Sequence, residues 1–215
     1  MTQLPPPIRY LETITKHIER HFGTDGFVLD ENKSSTVHVD VHVVPPNHSR
    51  PYFTLVTSGM SDLDMHTPAE LEEFALAELC LCLPADWPLS MTNFGWREPK
   101  YFWPLAILRR IARYPHRHKT WLSWGHTIGN VEHPEPIAAD ANFTGIMLLN
   151  PQTFPEDADK VTTEEDGRTI NFLAVLPLLP PELEFARKLD SDSLEEKLFE
   201  AGVTELLNPN RPSVI

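Results

Sequence analysis

His38, Asp40 and His42 stand two residues apart, with Val37, Val39, Val41 and Val43 between and around them. In an extended chain, residues i, i+2 and i+4 point the same way, so three side chains of metal-ligating type share one face. That set suits a metal-dependent hydrolase, with His126 as a further ligand. Along a flat strand, however, such side chains stand roughly 7 Å apart, wide for two ligands of one ion unless the chain bends. The plainer expectation is a solvated or hydrogen-bonded outer face of an antiparallel strand, with the valines turned to the core.

Other chemistry-bearing groups follow. The apolar run through Thr57 breaks at Ser58-Gly59-Met60-Ser61-Asp62. Gly59 there supplies a positive φ or a close backbone approach, while Ser61 and Asp62 cap the turn through side chain–backbone bonds. Neither Ser58 nor Ser61 sits in the glycine-flanked elbow of a nucleophilic serine. Trp121-Leu-Ser-Trp-Gly-His-Thr127 sets two tryptophans and a histidine beside a glycine, the material of a recognition pocket or of a core. Arg109, Arg110 and Arg113 form a basic helix face that reads as a salt-bridged surface. His116 and His118 follow that helix's end, where cations are favoured. No phosphate loop, dinucleotide fingerprint, HExxH or cysteine–histidine zinc pattern occurs.

The elements that must position these groups are legible from periodicity. Ile8, Leu11, Ile14, Ile18 and Phe22 mark an amphipathic helix over 8–22, closed by Gly23. Phe27–Leu29 is a short strand, and the valine strand after it closes at Pro45-Pro46. Thr67 is expected to cap a short helix or turn over 67–73, with Glu70 three residues on. Alternation over 75–83 predicts a strand ended by Pro84, with a helix over 68–82 as the alternative reading. A helix is expected over 102–114, with Pro104 in its first turn, Leu105, Leu108, Ile111 and Ala112 buried, and Pro115 as its stop. Strands are expected over 121–128, with Leu122, Trp124, His126 and Ile128 on one side, then 143–149, and 169–176 ended by Pro177. Residues 157–167 read as an acidic hairpin tip. Helices over 181–189 and 193–201 and an extended tail complete the chain. With no repeat or low-complexity linker, and with apolar residues in the long irregular stretches 84–100 and 129–142, one domain over 1–215 is expected.

Composition narrows the function classes. Of 215 residues, 21 are proline, which shortens elements and favours many strands with firm loops over a helical bundle. Asp and Glu number 31 against 18 Lys and Arg, a net charge of −13 that repels nucleic acid and anionic membranes and favours a basic partner or mere solubility. Cys80 and Cys82, two apart on one strand, read as reduced, half-buried thiols. The opening M-T-Q-L-P-P-P has no apolar signal core, and no run is long enough to span a membrane. A cytoplasmic protein without cofactor or bound metal is expected.

Several of these segments, in this order, resemble the suppressor-of-fused (SUFU) domain: V-D-V-H-V-V-P-P, Ser58-Gly-Met-Ser-Asp62, the strand Glu78–Leu83 with Pro84-Ala-Asp-Trp87, and Trp103-Pro with I-L-R-R-I-A-R-Y. T-W-L-S-W-G-H-T-I, G-I-M-L-L, I-N-F-L-A-V-L-P-L and P-P-E-L-E-F-A continue the likeness over most of the chain. The resemblance implies an α+β fold with a central mixed, mostly antiparallel sheet flanked by helices. It also implies a binding module with no established catalysis. Single-lobe bacterial members, some proposed as immunity proteins of toxin systems, are the most similar in extent. Animal members hold a transcription-factor peptide between two lobes, a clamp that does not carry over to one lobe. The implied partner is a protein, either a basic toxin or a peptide strand added at a sheet edge. Its expected contacts are Asp40, Ser58, Ser61, Asp62, Trp124 and His126.

Overall fold

The alternating valines do form a strand, and both of its faces are buried. The computed structural model describes residues 7–31, 36–92, 94–129, 135–138 and 141–215. The readings of segment 1–6 and of much of 129–142 fall outside them. Strands β1 (Phe27–Leu29), β2 (Asp40–Val44), β3 (Tyr52–Ser58) and β4 (Leu76–Pro84) form an antiparallel meander. A parallel pairing joins β4 to the long strand β8 (Thr169–Leu178). β8 pairs antiparallel with β6 (Gly145–Leu149) and, by its first residues, with β7 (Lys160–Thr162). β5 (Thr127–Gly129) pairs with β6, so the order is β1-β2-β3-β4-β8-β6-β5 with β7 beside β8.

Helices cover both faces. On one, Val41, Val43, Leu55, Leu79 and Leu81 pack with Leu105 and Leu108 of α2 (Pro99–Ala112). On the other, Val44, Val56, Leu76 and Cys80 pack with Ile14 and Ile18 of α1 (Leu11–Phe22), Leu183 of α4 (Pro180–Lys188) and Leu198 of α5 (Ser191–Glu200). The architecture is the α+β class with a mixed, mostly antiparallel sheet. The burial of both faces corrects the expectation of a solvated outer face on β2. With helices above and below, Asp40 and His42 lie inside.

Other local expectations are corrected for identifiable reasons. Leu11 is 37% exposed, and fully buried Tyr10 fills the core position beside Ile14 instead. The 3₁₀ turn Ala69–Phe74 follows Pro68, and no Thr67 side-chain bond caps it. α2 begins at Pro99, which places Pro104 inside it, and Pro115 opens a further short helix, α3 (Tyr114–His118), as its rigid φ permits in a first turn. The alternation over 121–128 yields a strand only in its last three residues, because Trp124 and Gly125 turn the chain, Gly125 with φ +76°. β8 runs through Pro177, whose missing N–H is tolerated in register with Ile146 while its carbonyl accepts from Arg211 at 2.9 Å. Cys80 and Cys82 are free and fully buried rather than half-buried.

Candidate partner-binding site

The turn after β3 is built around one carboxylate. Glu78, 0% exposed in mid-β4, lies beside the end of β3, where it meets the Thr57 hydroxyl. Its Oε1 accepts the Gly59 N–H at 2.8 Å, the Ser61 N–H at 3.0 Å and the Ser61 hydroxyl at 2.7 Å, and its Oε2 accepts the Thr57 hydroxyl at 2.6 Å. Burial raises its pKa, and these bonds pull it back by favouring the charged form. Gly59 has φ +110°, and a Cβ there would meet the His38 carbonyl oxygen at 1.9 Å. Only glycine serves at that position. The sequence marks the glycine and the serines as a firm turn. The acid that organises them was missed, although a lone Glu in L-A-E-L-C-L-C-L must find donors if the strand is buried on both sides.

Asp40, His42 and Ser58 meet on the same sheet face. Asp40 pairs in register with Ser58, and His42 Nε2 lies 3.0 Å from the Ser58 Oγ. His38 Nε2 sits 2.7 Å from Asp40 Oδ1, which also accepts the Glu31 N–H at 2.8 Å. A histidine at a serine hydroxyl is what nucleophile activation needs. Here His42 is 4% exposed and Ser58 fully buried. Burial lowers the His42 pKa to about 4, leaving a neutral ring at pH 7. Nor do the three strand residues act as one ligand set. His42 turns to Ser58 while His38 and Asp40 turn to each other, and no group of three or more His, Cys, Asp or Glu side chains converges among the described residues.

Asp62 is half-buried at the start of α1, where its Oδ1 accepts the Arg9 N–H at 3.0 Å. Burial raises its pKa, against the backbone donors of Arg9 and Tyr10. α1 is tied further to the turn after β7, since Asp166 Oδ2 takes the Tyr10 hydroxyl at 2.7 Å and Arg9 at 2.8 Å. The acidic hairpin tip is thus fastened to the first helix. The arginine face also differs from a salt-bridged surface. Arg109 and Arg113 turn inward, donating to the carbonyls of Leu29, Val39 and Val37, and Arg113 also pairs with Glu31. Arg110 alone of the three is exposed.

Trp124 and His126 lie apart from this cluster, on the turn leading into β5. Trp124 is 45% exposed and meets Phe74 edge-on, with ring centroids 5.2 Å apart. His126 meets Trp121 at 4.7 Å, and burial lowers its pKa. His116 Nε2 contacts the Met60 carbonyl at 3.0 Å, linking α3 to the Ser58–Asp62 turn. Of the six expected contact residues, Asp40, Ser58, Ser61 and Asp62 are brought together as a support. Trp124 and His126 belong to the sheet's far edge.

β5 ends the sheet and has β6 as its one strand neighbour among the described residues. His126 O accepts the Leu148 N–H at 2.9 Å, and alternation from that bond turns the N–H and C=O of Thr127 and Gly129 away from β6. Arg187 reaches the Gly129 carbonyl from that open side at 3.1 Å. The opposite edge, β1, has its Leu29 carbonyl held by Arg109 at 2.7 Å.

A mixed sheet with helices on both faces and the three-residue strand β5 at one end of its described order defines a small α+β domain. The chain belongs to the Suppressor of fused protein (SUFU) family, which matches residues 35–212. Its fold is similar to that of a SUFU homologue from Neisseria gonorrhoeae, at 19% identity over 96% of this chain and 97% of that one, with a TM-score of 0.67. It is also similar to a chain of the Sufu–Fu complex, at 13% identity, over 99% of this chain and 93% of that one, with a TM-score of 0.66. Drosophila Suppressor of Fused matches at 16% identity and a TM-score of 0.64, over 97% of this chain but only 52% of its own length. No curated protein sequence matches. No helix among the described residues is long and apolar enough to cross a membrane.

Proposed function

We propose that this chain is a non-enzymatic protein-binding module that accepts a partner segment as an added strand along β5. The observation that carries this is the edge itself: Thr127 turns its N–H and C=O outward, and half-exposed Trp124 and His126 stand just before it. In such addition the main-chain bonds supply affinity and side-chain pockets supply selectivity. Trp124 and His126 are the proposed contacts, and Asp62 stays with the supporting turn beside α1. Asp40, Ser58 and Ser61 hold the turn that α3 rests on through His116. The Sufu–Fu complex supports a protein as the partner class. A chain of net charge −13 draws in partners that are basic overall, which fits an immunity-type protein that sequesters a basic toxin in the cytoplasm.

The test is affinity capture in the native host with mass spectrometry, comparing the unaltered chain with Trp124→Ala and Thr127→Pro. Proline at Thr127 removes the outward donor while sparing the bonds to β6. A stoichiometric partner lost from both variants, with unchanged thermal melting, is the expected result. Capture that ignores both changes, or no stoichiometric protein at all, overturns the proposal.

A further inference from the structure

We infer that the groove between the turn after β4 and the chain's last segment seats an arginine of a partner protein, its guanidinium stacked on Trp87 and paired with the Asp86 carboxylate. The groove holds about 900 Å³. It is lined by Pro84, Asp86, Trp87, Pro88 and Tyr101, and by residues 201–204 and 206–214. None of these belongs to β5, so this contact stands or falls apart from the added strand. Both contributing segments are firmly held. The Trp87 N–H donates to the Pro84 carbonyl at 3.0 Å, and its indole Nε1–H to the Tyr101 carbonyl at 3.2 Å. The last segment is tied to β4 by the Leu207 N–H on the Cys82 carbonyl at 2.8 Å. A groove fixed in this way loses little freedom when it is filled.

Two features of the groove select a cation. The Trp87 and Tyr101 rings meet edge-on, with centroids 5.5 Å apart and planes at 80°, and both remain partly exposed. Rings set nearly at a right angle form a corner, and an indole face attracts a cation more strongly than other aromatic faces. Tyr101 already attracts one: Lys100 Nζ, paired with Glu98 at 3.3 Å, stands 4.7 Å from its ring centroid. Charge is the second feature. Among the described residues, the charged groups lining the groove are Asp86 and Arg211, and Arg211 is bound to both carboxylate oxygens of Glu182. Exposed Asp86, one residue before Trp87, therefore sets the sign. The net charge of −13 draws the same cation from a distance. Arginine fits better than lysine, because its plane stacks on a ring while its edge N–H groups bond a carboxylate.

The experiment selects random peptides of about 12 residues, displayed on phage, against the full chain and its variants. The unaltered chain is expected to enrich peptides that contain arginine. Asp86→Lys, at an exposed position, is expected to weaken a selected arginine peptide about tenfold or more, and Trp87→Leu to do the same. Thr127→Pro is expected to leave the binding of that peptide unchanged. A pool without enriched arginine overturns the inference. So do arginine peptides that bind Asp86→Lys as well as the unaltered chain, since general acidity then explains them. Arginine peptides lost with Thr127→Pro but not with Asp86→Lys overturn it as well, and move the cation to the β5 edge. Melting curves confirm that each variant is folded, and Asp86→Lys decides alone if Trp87→Leu melts early.

Discussion

The Oε1 of Glu78 accepts the Ser61 hydroxyl at 2.7 Å, joining the middle of β4 to the turn that ends β3. The same oxygen holds two N–H groups of that turn, so a single buried carboxylate stands in for the main-chain bonds the turn cannot make with a neighbouring strand. Removing it strands several donors at once, whereas an amide keeps an acceptor for them. Glu78→Ala is expected to lower unfolding free energy by about 3 kcal/mol or more, and Glu78→Gln by clearly less. Urea titration of both variants checks the order.

Gly59→Ala tests the close approach to the His38 carbonyl. Positive φ and a 1.9 Å overlap act together, so the turn has to rebuild. The expected outcome is a loss of more than about 3 kcal/mol, or failure to accumulate as folded protein. Gly23→Ala, where φ is +95° but a Cβ meets nothing within 4 Å, is expected to cost less. Thermal melting compares them.

His42 sets a pH dependence. Its folded pKa lies below its unfolded value, so the unfolded chain binds the extra proton. Stability is then fully present above about pH 6.5 and is lost as pH falls toward about 4. The loss is on the order of 3 kcal/mol across that window. Glu78 runs the other way: its raised pKa favours the folded state below about pH 4.5, and that contribution is lost as pH rises through the folded value. His42→Gln is expected to flatten the slope between pH 6.5 and 4, read from urea midpoints across that range.

Neighbouring arginines on α2 are expected to behave oppositely. Arg113 is buried, pairs with Glu31 and holds the Val37 carbonyl. Arg113→Ala should cost roughly 3 kcal/mol because it leaves the largely buried Glu31 carboxylate without its ion-pair partner. Arg110→Ala, at an exposed position, should change stability by no more than about 0.5 kcal/mol. Equal effects in denaturant titration contradict this division.

Much of the fold was legible where one face decides the pattern. Leu105, Leu108 and Ile111 gave α2 its buried stripe, and the valines gave β2 its core face. What periodicity does not encode is whether a second layer covers the other face. That is why His42 read as an outer-face residue, and why Arg109 and Arg113 read as surface. Chain reversals hidden in apolar segments were the other blind point. Trp121 to Ile128 alternates well enough for a strand, but Gly125 at φ +76° turns it. At the candidate site, Gly59 and Ser61 announced a turn by their types, while Glu78 became legible only with β3 and β4 in register. The segment order resembling SUFU pointed to the family, whose match over residues 35–212 now stands on its own.

The parallel pairing of β4 with β8 has a consequence for synthesis. Ribosomal output delivers β1 to β4 as a meander whose last strand, mostly apolar, has an unfilled side until Thr169 to Leu178 emerge. Such non-local closure is slow and leaves an adhesive strand on view. The nascent protein therefore spends its early life with its future centre as a border, and the interval before β8 arrives is when it is most exposed to aggregation.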